Sequence, residues 1–154
     1  DGKLGQLAAQ VVSLYTKNLV CVGRHAWKLA MLDACHIPTA MDSDEIEGGA
    51  DIVVEATGKA AGFERALSLV RPEGAIILKT TVADAVPLSL ALPVIHEIKI
   101  LGSRCGPFRP ALDALSMGTV EVRPMISETY GLNDGVYALN RAGDPGVMKV
   151  LIYM

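Results

Sequence analysis

Asp1-Gly2-Lys3-Leu4-Gly5 (DGKLG) opens the chain and runs directly into an apolar-periodic segment, Leu4 to Tyr15. Gly2 and Gly5 have the spacing of the last two glycines of G-x-G-x-x-G, the turn that carries a nucleotide pyrophosphate to a helix N-terminus. Leu4, Leu7, Ala8, Val11, Val12 and Tyr15 fall on one helical face, with Gln6, Gln10, Ser13 and Lys17 opposite. A helix therefore starts at the glycines. Its first amides have no intrahelical partner, and together with the helix dipole they form an anion site. Gly2 lets the backbone approach a phosphate and Gly5 lets the helix pack closely on a strand, with Lys3 and Leu4 completing the turn. The first glycine of the pattern would lie one residue before Asp1, so the motif is incomplete. The other reading of these residues, a glycine-rich turn before an ordinary surface helix, is weighed against the rest of the chain.

Working outward, Asn18 to Gly23 is a short apolar, β-branched run suited to a buried parallel strand, and Arg24 to Ala34 reads as a helix with Trp27, Leu29, Met31 and Leu32 as its apolar members. His36 to Ala40 reads as a short edge strand, where Pro38 is tolerated. Asp42 to Gly49 is an acidic connection. Asp51 to Glu55 is the next strand, ending at Ala56-Thr57-Gly58. The helix after it places Phe63, Ala66, Leu67 and Val70 on one face and stops before Pro72. Pro72-Glu73-Gly74 turns the chain into a strand from Ala75 to Leu78, which ends at Lys79-Thr80-Thr81. Strands alternating with helices at this rhythm indicate βαβ units and a parallel sheet with right-handed crossovers. Further on, a short helix over Pro87 to Leu92, a strand over Glu97 to Gly102 and a helix from Phe108 or Arg109 to Met117 closed by Gly118 are expected. A strand near Met125 to Tyr130, a helix capped at Asn133 with a Leu132–Tyr137 staple, and a last strand over Val147 to Met154 complete the reading.

With 51% apolar and 20% charged residues in 154, the chain has the composition of a globular domain with a substantial core. A net charge of −3 argues against nucleic acid or an anionic membrane surface as partner. The longest apolar candidate, Val86 to Ile95, is too short to span a bilayer and is broken by Pro87 and Pro93. Cys21, Cys35 and Cys105 are scattered and without C-x-x-C spacing, which reads as reduced thiols in a cytoplasmic compartment, with Cys105 a buried small hydrophobe. The chain begins with Asp, inside a motif whose preceding strand belongs at the middle of a sheet. A fragment of a longer protein, with its first strand missing, is therefore expected. The exposed sheet would drive homo-oligomerisation or pairing with another chain.

Five pieces stand in the order of one family: D-G-K-L-G, V-V-E-A-T-G, A-L-x-L-V-R-P-E-G-x-x-x-L-K, L-G-S-R-C-G and M-K-V-L-I. Together they resemble the medium-chain, zinc-type alcohol dehydrogenases over their cofactor-binding half and C-terminal return. The resemblance implies an α/β Rossmann-type doubly wound parallel sheet over residues 1–106, truncated at its N-terminus, and a helix/strand return over 107–154. It implies NAD(P) across the carboxyl ends of the strands. It also implies a separate zinc-bearing catalytic domain, with the alcohol substrate, in the full-length parent, so that no catalytic residue and no metal ligand is assigned to this chain. By position, Thr57 and Gly58 are similar to the family's strand-end residues against the cofactor. Lys79, Thr80 and Thr81 stand at another strand end. Gly102 and Ser103, followed by Arg104, resemble the segment that holds the nicotinamide carboxamide. Lys149 matches a basic residue that reaches back to the pyrophosphate.

Cofactor choice is read at the end of the second strand. In NAD-specific domains an acidic residue there binds the ribose 2′-hydroxyl, whereas this chain has Gly23, followed by Arg24, His25 and Lys28. Arg24 can pair with a phosphate through two donors, so NADP is expected in preference to NAD. The isolated portion is expected to lack turnover. Two other function classes share the opening turn: a non-catalytic dinucleotide-binding or sensing module, and a methyltransferase, which the G-x-x-G helix start and the C-terminal segment disfavour.

Overall fold

The computed structural model describes residues 1–81 and 87–154. In chain order the elements are α1 (Lys3–Ser13), β1 (Cys21–Gly23), α2 (Ala26–Asp33), β2 (Thr39–Met41), β3 (Ala50–Glu55), α3 (Ala60–Leu69) and β4 (Val70–Leu78). They continue with α4 (Ala91–Ile95), β5 (Lys99–Gly102), α5 (Phe108–Ser116), β6 (Ile126–Gly131), α6 (Gly135–Arg141) and β7 (Lys149–Tyr153). The chain divides into two compact units: Asp1–Thr39 with Phe108–Met154, and Ala40–Pro107.

In the second unit β3, β4 and β5 form a parallel sheet in that order, Val53 lying opposite Ile76 and Ile76 opposite Ile100. Parallel neighbours need a crossover, and α3 supplies the one between β3 and β4. Phe63 and Ala66 of α3 pack with Val70 and Ile76 into a buried cluster, flanked by Val53, Leu67, Leu78 and Ile98. Phe63 and Ala66 are buried on the apolar face expected for this helix, whereas Val70, expected on the same face, is the first residue of β4. The turn expected at Pro72-Glu73-Gly74 lies within β4, where Glu73 takes a positive φ of 60° and the pairing with β3 slips between Ala50 and Ile52.

In the first unit Ala9, Leu32 and Ile37 form the core, with Leu19, Cys21 and Cys35 against it. β6 and β7 pair in parallel, with α6 between them in the chain. Arg141 of α6 holds the carboxylate of Glu128 on β6 and also Asp144, while the Tyr130 hydroxyl donates to Glu128. The Arg141 guanidinium and the Tyr130 hydroxyl keep the Glu128 carboxyl below the usual range, and Glu128 in turn pushes the Tyr130 hydroxyl up to about 12.

Among the described residues the strands pair in three groups: β1 with β2, β3-β4-β5, and β6 with β7. Several finer expectations are corrected. α1 buries Gln6 and Gln10, 1% and 6% exposed, and leaves Leu4, Val11 and Tyr15 exposed. These glutamines go inside because long-range partners satisfy their amides. The Gln6 side chain donates to the Lys28 carbonyl at 2.7 Å, and the Gln10 side chain both donates to the Glu121 carbonyl and accepts from the Glu121 N–H. A buried amide with its partners in place costs little, whereas one stripped of them is expensive. Gln10→Ala is therefore expected to destabilise the chain by about 1–2 kcal/mol, by leaving two backbone groups of Glu121 unpaired. An unchanged urea midpoint would show that water replaces the pair.

The helix placed at 87–92 is α4 at Ala91–Ile95, with Pro93 in its first turn, where a missing N–H is tolerated. Of the Val86 to Ile95 run, Val86 lies outside the described residues. Asn133 does not cap a helix; it sits in a 3-10 turn, and α6 starts after Asp134 with no side-chain cap. The Leu132–Tyr137 staple is not formed as a buried pair: both are exposed, and the Tyr137 ring meets Tyr130 edge-on at 5.4 Å. Cys105 is exposed, not a buried small hydrophobe. Among the described residues no helix is long and apolar enough to cross a membrane.

Candidate functional site

The expected site residues fall in both units. In the first, α1 begins at Lys3 after Gly2, whose φ of −73° and ψ of 173° are ordinary extended backbone. No side chain caps this helix and no acidic residue stands in its first turn, so its leading amides keep their affinity for an anion. A Cβ built on Gly2 or on Gly5 would meet nothing within 4 Å. For Gly2 this is the open approach expected above. For Gly5 no described residue presses on the position.

Of the three glycines expected at this part of the site, Gly23 is crowded. A Cβ there would lie 2.6 Å from the Asp1 Cβ and 2.8 Å from Leu29 Cδ2. Asp1, to which the sequence reading gave no role, folds its carboxylate onto the end of β1. Its Oδ2 accepts from the backbone N–H groups of Arg24 and His25, both at 2.8 Å, and bonds the His25 Nδ1 at 2.7 Å. Gly23, Arg24 and His25 are thus brought together, and Asp1 with them. Lys28 lies on the first turn of α2, its ammonium 5.3 Å from the centre of the Trp27 ring. Lys149 is exposed at the start of β7, opposite Ile126 of β6. Burial pushes the Cys21 thiol up, which keeps it a neutral packing group.

In the second unit the ends of β3, β4 and β5 are laced together. The Lys79 N–H donates to the Glu55 carbonyl, and the Ser103 N–H to that of Leu78. Gly58, at a φ of 73° that favours glycine, donates its N–H to the Thr80 hydroxyl at 2.9 Å. The Lys79 ammonium donates to the Ser103 carbonyl and hydroxyl at 3.0 and 3.2 Å, and lies 3.5 Å from the Arg104 carbonyl. Thr57, Gly58, Lys79, Thr80, Gly102 and Ser103 therefore form one ledge at the carboxyl ends of adjacent parallel strands, the place where ligands bind in open α/β sheets. Thr81 is exposed beyond it.

Beneath the ledge lies a second residue that sequence reading missed. Glu55 is 3% exposed, and its Oε1 accepts from both the N–H and the hydroxyl of Thr57, at 2.8 and 2.6 Å. Its other oxygen, Oε2, is buried without a hydrogen-bond partner among the described residues. A carboxylate directly after the apolar run Ile52-Val53-Val54 was the available signal. A shallow depression of about 260 Å³, lined by Phe63, Glu64, Leu67, Ser89 and Leu92, includes none of these site residues.

No family model matches the chain. A provisionally named D-xylulose reductase of Rhizobium meliloti (strain 1021) is 28% identical over 110 residues, which are 69% of this chain and 32% of that protein. Among solved structures, L-idonate 5-dehydrogenase from Escherichia coli superposes with a TM-score of 0.86 at 21% identity, covering 99% of this chain and 48% of that one. A Sinorhizobium meliloti 1021 protein, assigned provisionally as a zinc-binding dehydrogenase and solved bound to NADP, superposes with a TM-score of 0.83 at 22% identity, covering 99% and 50%. The chain thus spans about a third of the curated relative and about half of each solved structure.

Proposed function

Because the chain resembles the medium-chain, zinc-type alcohol dehydrogenases over their C-terminal NAD(P)-binding portion, we propose that it binds a nicotinamide dinucleotide in a parent that exchanges hydride with an alcohol or polyol. The observation that carries this reading is the open, uncapped start of α1 at the glycine turn. The turn Gly2-Lys3-Leu4-Gly5 and the first amides of α1 take the pyrophosphate. Gly23, Arg24, His25 and Lys28 receive the adenosine ribose. Thr57, Gly58, Lys79, Thr80 and Thr81, with Gly102 and Ser103, serve the strand-end side of the cofactor, and Lys149 adds charge for the phosphates. The cofactor supplies the hydride chemistry; this chain's residues bind and orient it.

Zinc does not fit the described residues. Among the described residues no group of three histidine, cysteine or acidic side chains is placed to hold a metal ion, and no step is assigned to a metal on this chain. On this reading the zinc and the alcohol belong to the rest of the parent. Exposed apolar side chains such as Phe108, Val136, Leu139 and Tyr153 fit burial against further protein, a second copy included. The three free cysteines fit a reducing, cytoplasmic compartment.

NADP is the preferred cofactor on this reading, since the end of β1 offers Arg24 and Lys28 to a 2′-phosphate and Gly23 where NAD-specific domains carry an acid. Arg24→Ala is expected to weaken NADPH binding by about 1.5–3 kcal/mol, the worth of a hydrogen bond to a charged group, and to leave NADH nearly unchanged. Calorimetric titration with both cofactors decides it. Equal losses for the two, or tighter NADH binding by the unmodified chain, would refute the assignment.

A further inference from the structure

We propose that Asp1 is a specificity-determining residue, which holds a fixed negative charge at the end of β1 and so restrains the preference for a 2′-phosphorylated dinucleotide that Arg24 creates. The inference rests on the cofactor reading above and adds a residue that acts against Arg24.

Two independent observations place the charge. One Asp1 oxygen takes the backbone N–H groups of Arg24 and His25 and faces the His25 Nδ1, all within 2.8 Å. The side chain is only 15% exposed. Separately, Gly23 leaves the room in which Asp1 sits, since any Cβ at that position would fall 2.6 and 2.9 Å from the Asp1 Cβ and Cγ. The two amides that Asp1 holds, those of Arg24 and His25, lie just ahead of α2, whose first turn holds no acidic residue of its own.

The consequence for a ligand follows from charge. A 2′-phosphate arriving beside Arg24 finds the two nearest backbone amides already engaged and a carboxylate next to them. The Arg24 and Lys28 side chains attract it, and the Asp1 carboxylate repels it. A 2′-hydroxyl carries no charge and is not repelled. Asp1 and Arg24 thus set the ratio of the two affinities in opposite directions.

The test uses the 154-residue chain and its Asp1→Asn and Asp1→Glu variants, titrated calorimetrically with NADPH and NADH at one ionic strength. Asparagine keeps an oxygen for the amides and removes the charge. NADPH is expected to bind the Asn variant about five- to tenfold more tightly, the size of a screened like-charge repulsion at close range, while NADH changes less than about twofold. The Glu variant keeps the charge and is expected to show no gain in the ratio. The ratio is read on one sample, so partial unfolding of a variant cancels from it. An unchanged ratio in Asp1→Asn, or an equal rise in Asp1→Glu, overturns the inference and leaves the cofactor reading standing. An unmodified chain that binds neither dinucleotide overturns both.

Discussion

Gly2→Val is expected to leave the chain folded and to abolish dinucleotide binding. The fold has no need of glycine at this position. Its φ of −73° and ψ of 173° suit a β-branched residue, and a Cβ there meets no atom within 4 Å. Replacing glycine by valine before the first turn of a helix costs at most about 1 kcal/mol in capping preference. What valine does occupy is the open space ahead of the α1 amides, where a pyrophosphate must come within hydrogen-bond distance of the backbone. Pushing the phosphate out by the width of an isopropyl group removes those bonds together. Affinity is expected to fall at least about 100-fold, or about 2.7 kcal/mol. Calorimetry for binding and circular dichroism for folding are read together. A folded variant that binds as well as the unmodified chain would mean that the turn serves only structure.

At the other glycine the expectation is reversed, with the damage falling on the fold. A Cβ at Gly62 would stand 2.0 Å from the Thr57 hydroxyl oxygen, 2.4 Å from Glu55 Oε1 and 2.9 Å from the Thr57 Cβ. Neither side chain can step aside alone, because Thr57 donates both its N–H and its hydroxyl to that same Glu55 oxygen. The Thr57 hydroxyl also engages the backbone of Lys59, just ahead of α3. One methyl group therefore has to break a buried, charge-assisted pair or move the start of the helix off the end of β3. Overpacking and a lost hydrogen bond to a buried carboxylate together give about 2–4 kcal/mol of destabilisation. Chemical denaturation measures it. A Gly62→Ala variant within about 0.5 kcal/mol of the unmodified chain would show that the Glu55–Thr57 pair relaxes freely. Because Gly58 donates to Thr80 just beyond Thr57, the same variant should also disturb the strand-end ledge.

Local pattern decided much of the architecture, since helices and parallel strands announce themselves by spacing. The 3.6-residue recurrence of Phe63 and Ala66 marks α3, and the β-branched run before Glu55 marks β3. Gly118, with its φ of 66°, follows α5 as expected. The glycine turn, the strand ends at Thr57-Gly58 and Lys79-Thr80, and the basic cluster after Gly23 were all visible in the same way, because each depends on residues a few positions apart. Tertiary structure alone decided which polar groups go inside and which glycines are needed. Gln6 and Gln10 stand on what the periodicity makes the wet face of α1, yet a carbonyl 22 residues away and a peptide group 111 residues away bury them. Asp1 holds the two backbone amides at the end of β1 from 23 and 24 residues away, and Gly23 and Gly62 are small because Asp1 and the Glu55–Thr57 pair need the space. A one-dimensional pattern records the period of a helix or strand, which arises between neighbours; the partner that makes a buried amide or carboxylate affordable arrives only when distant parts of the chain meet.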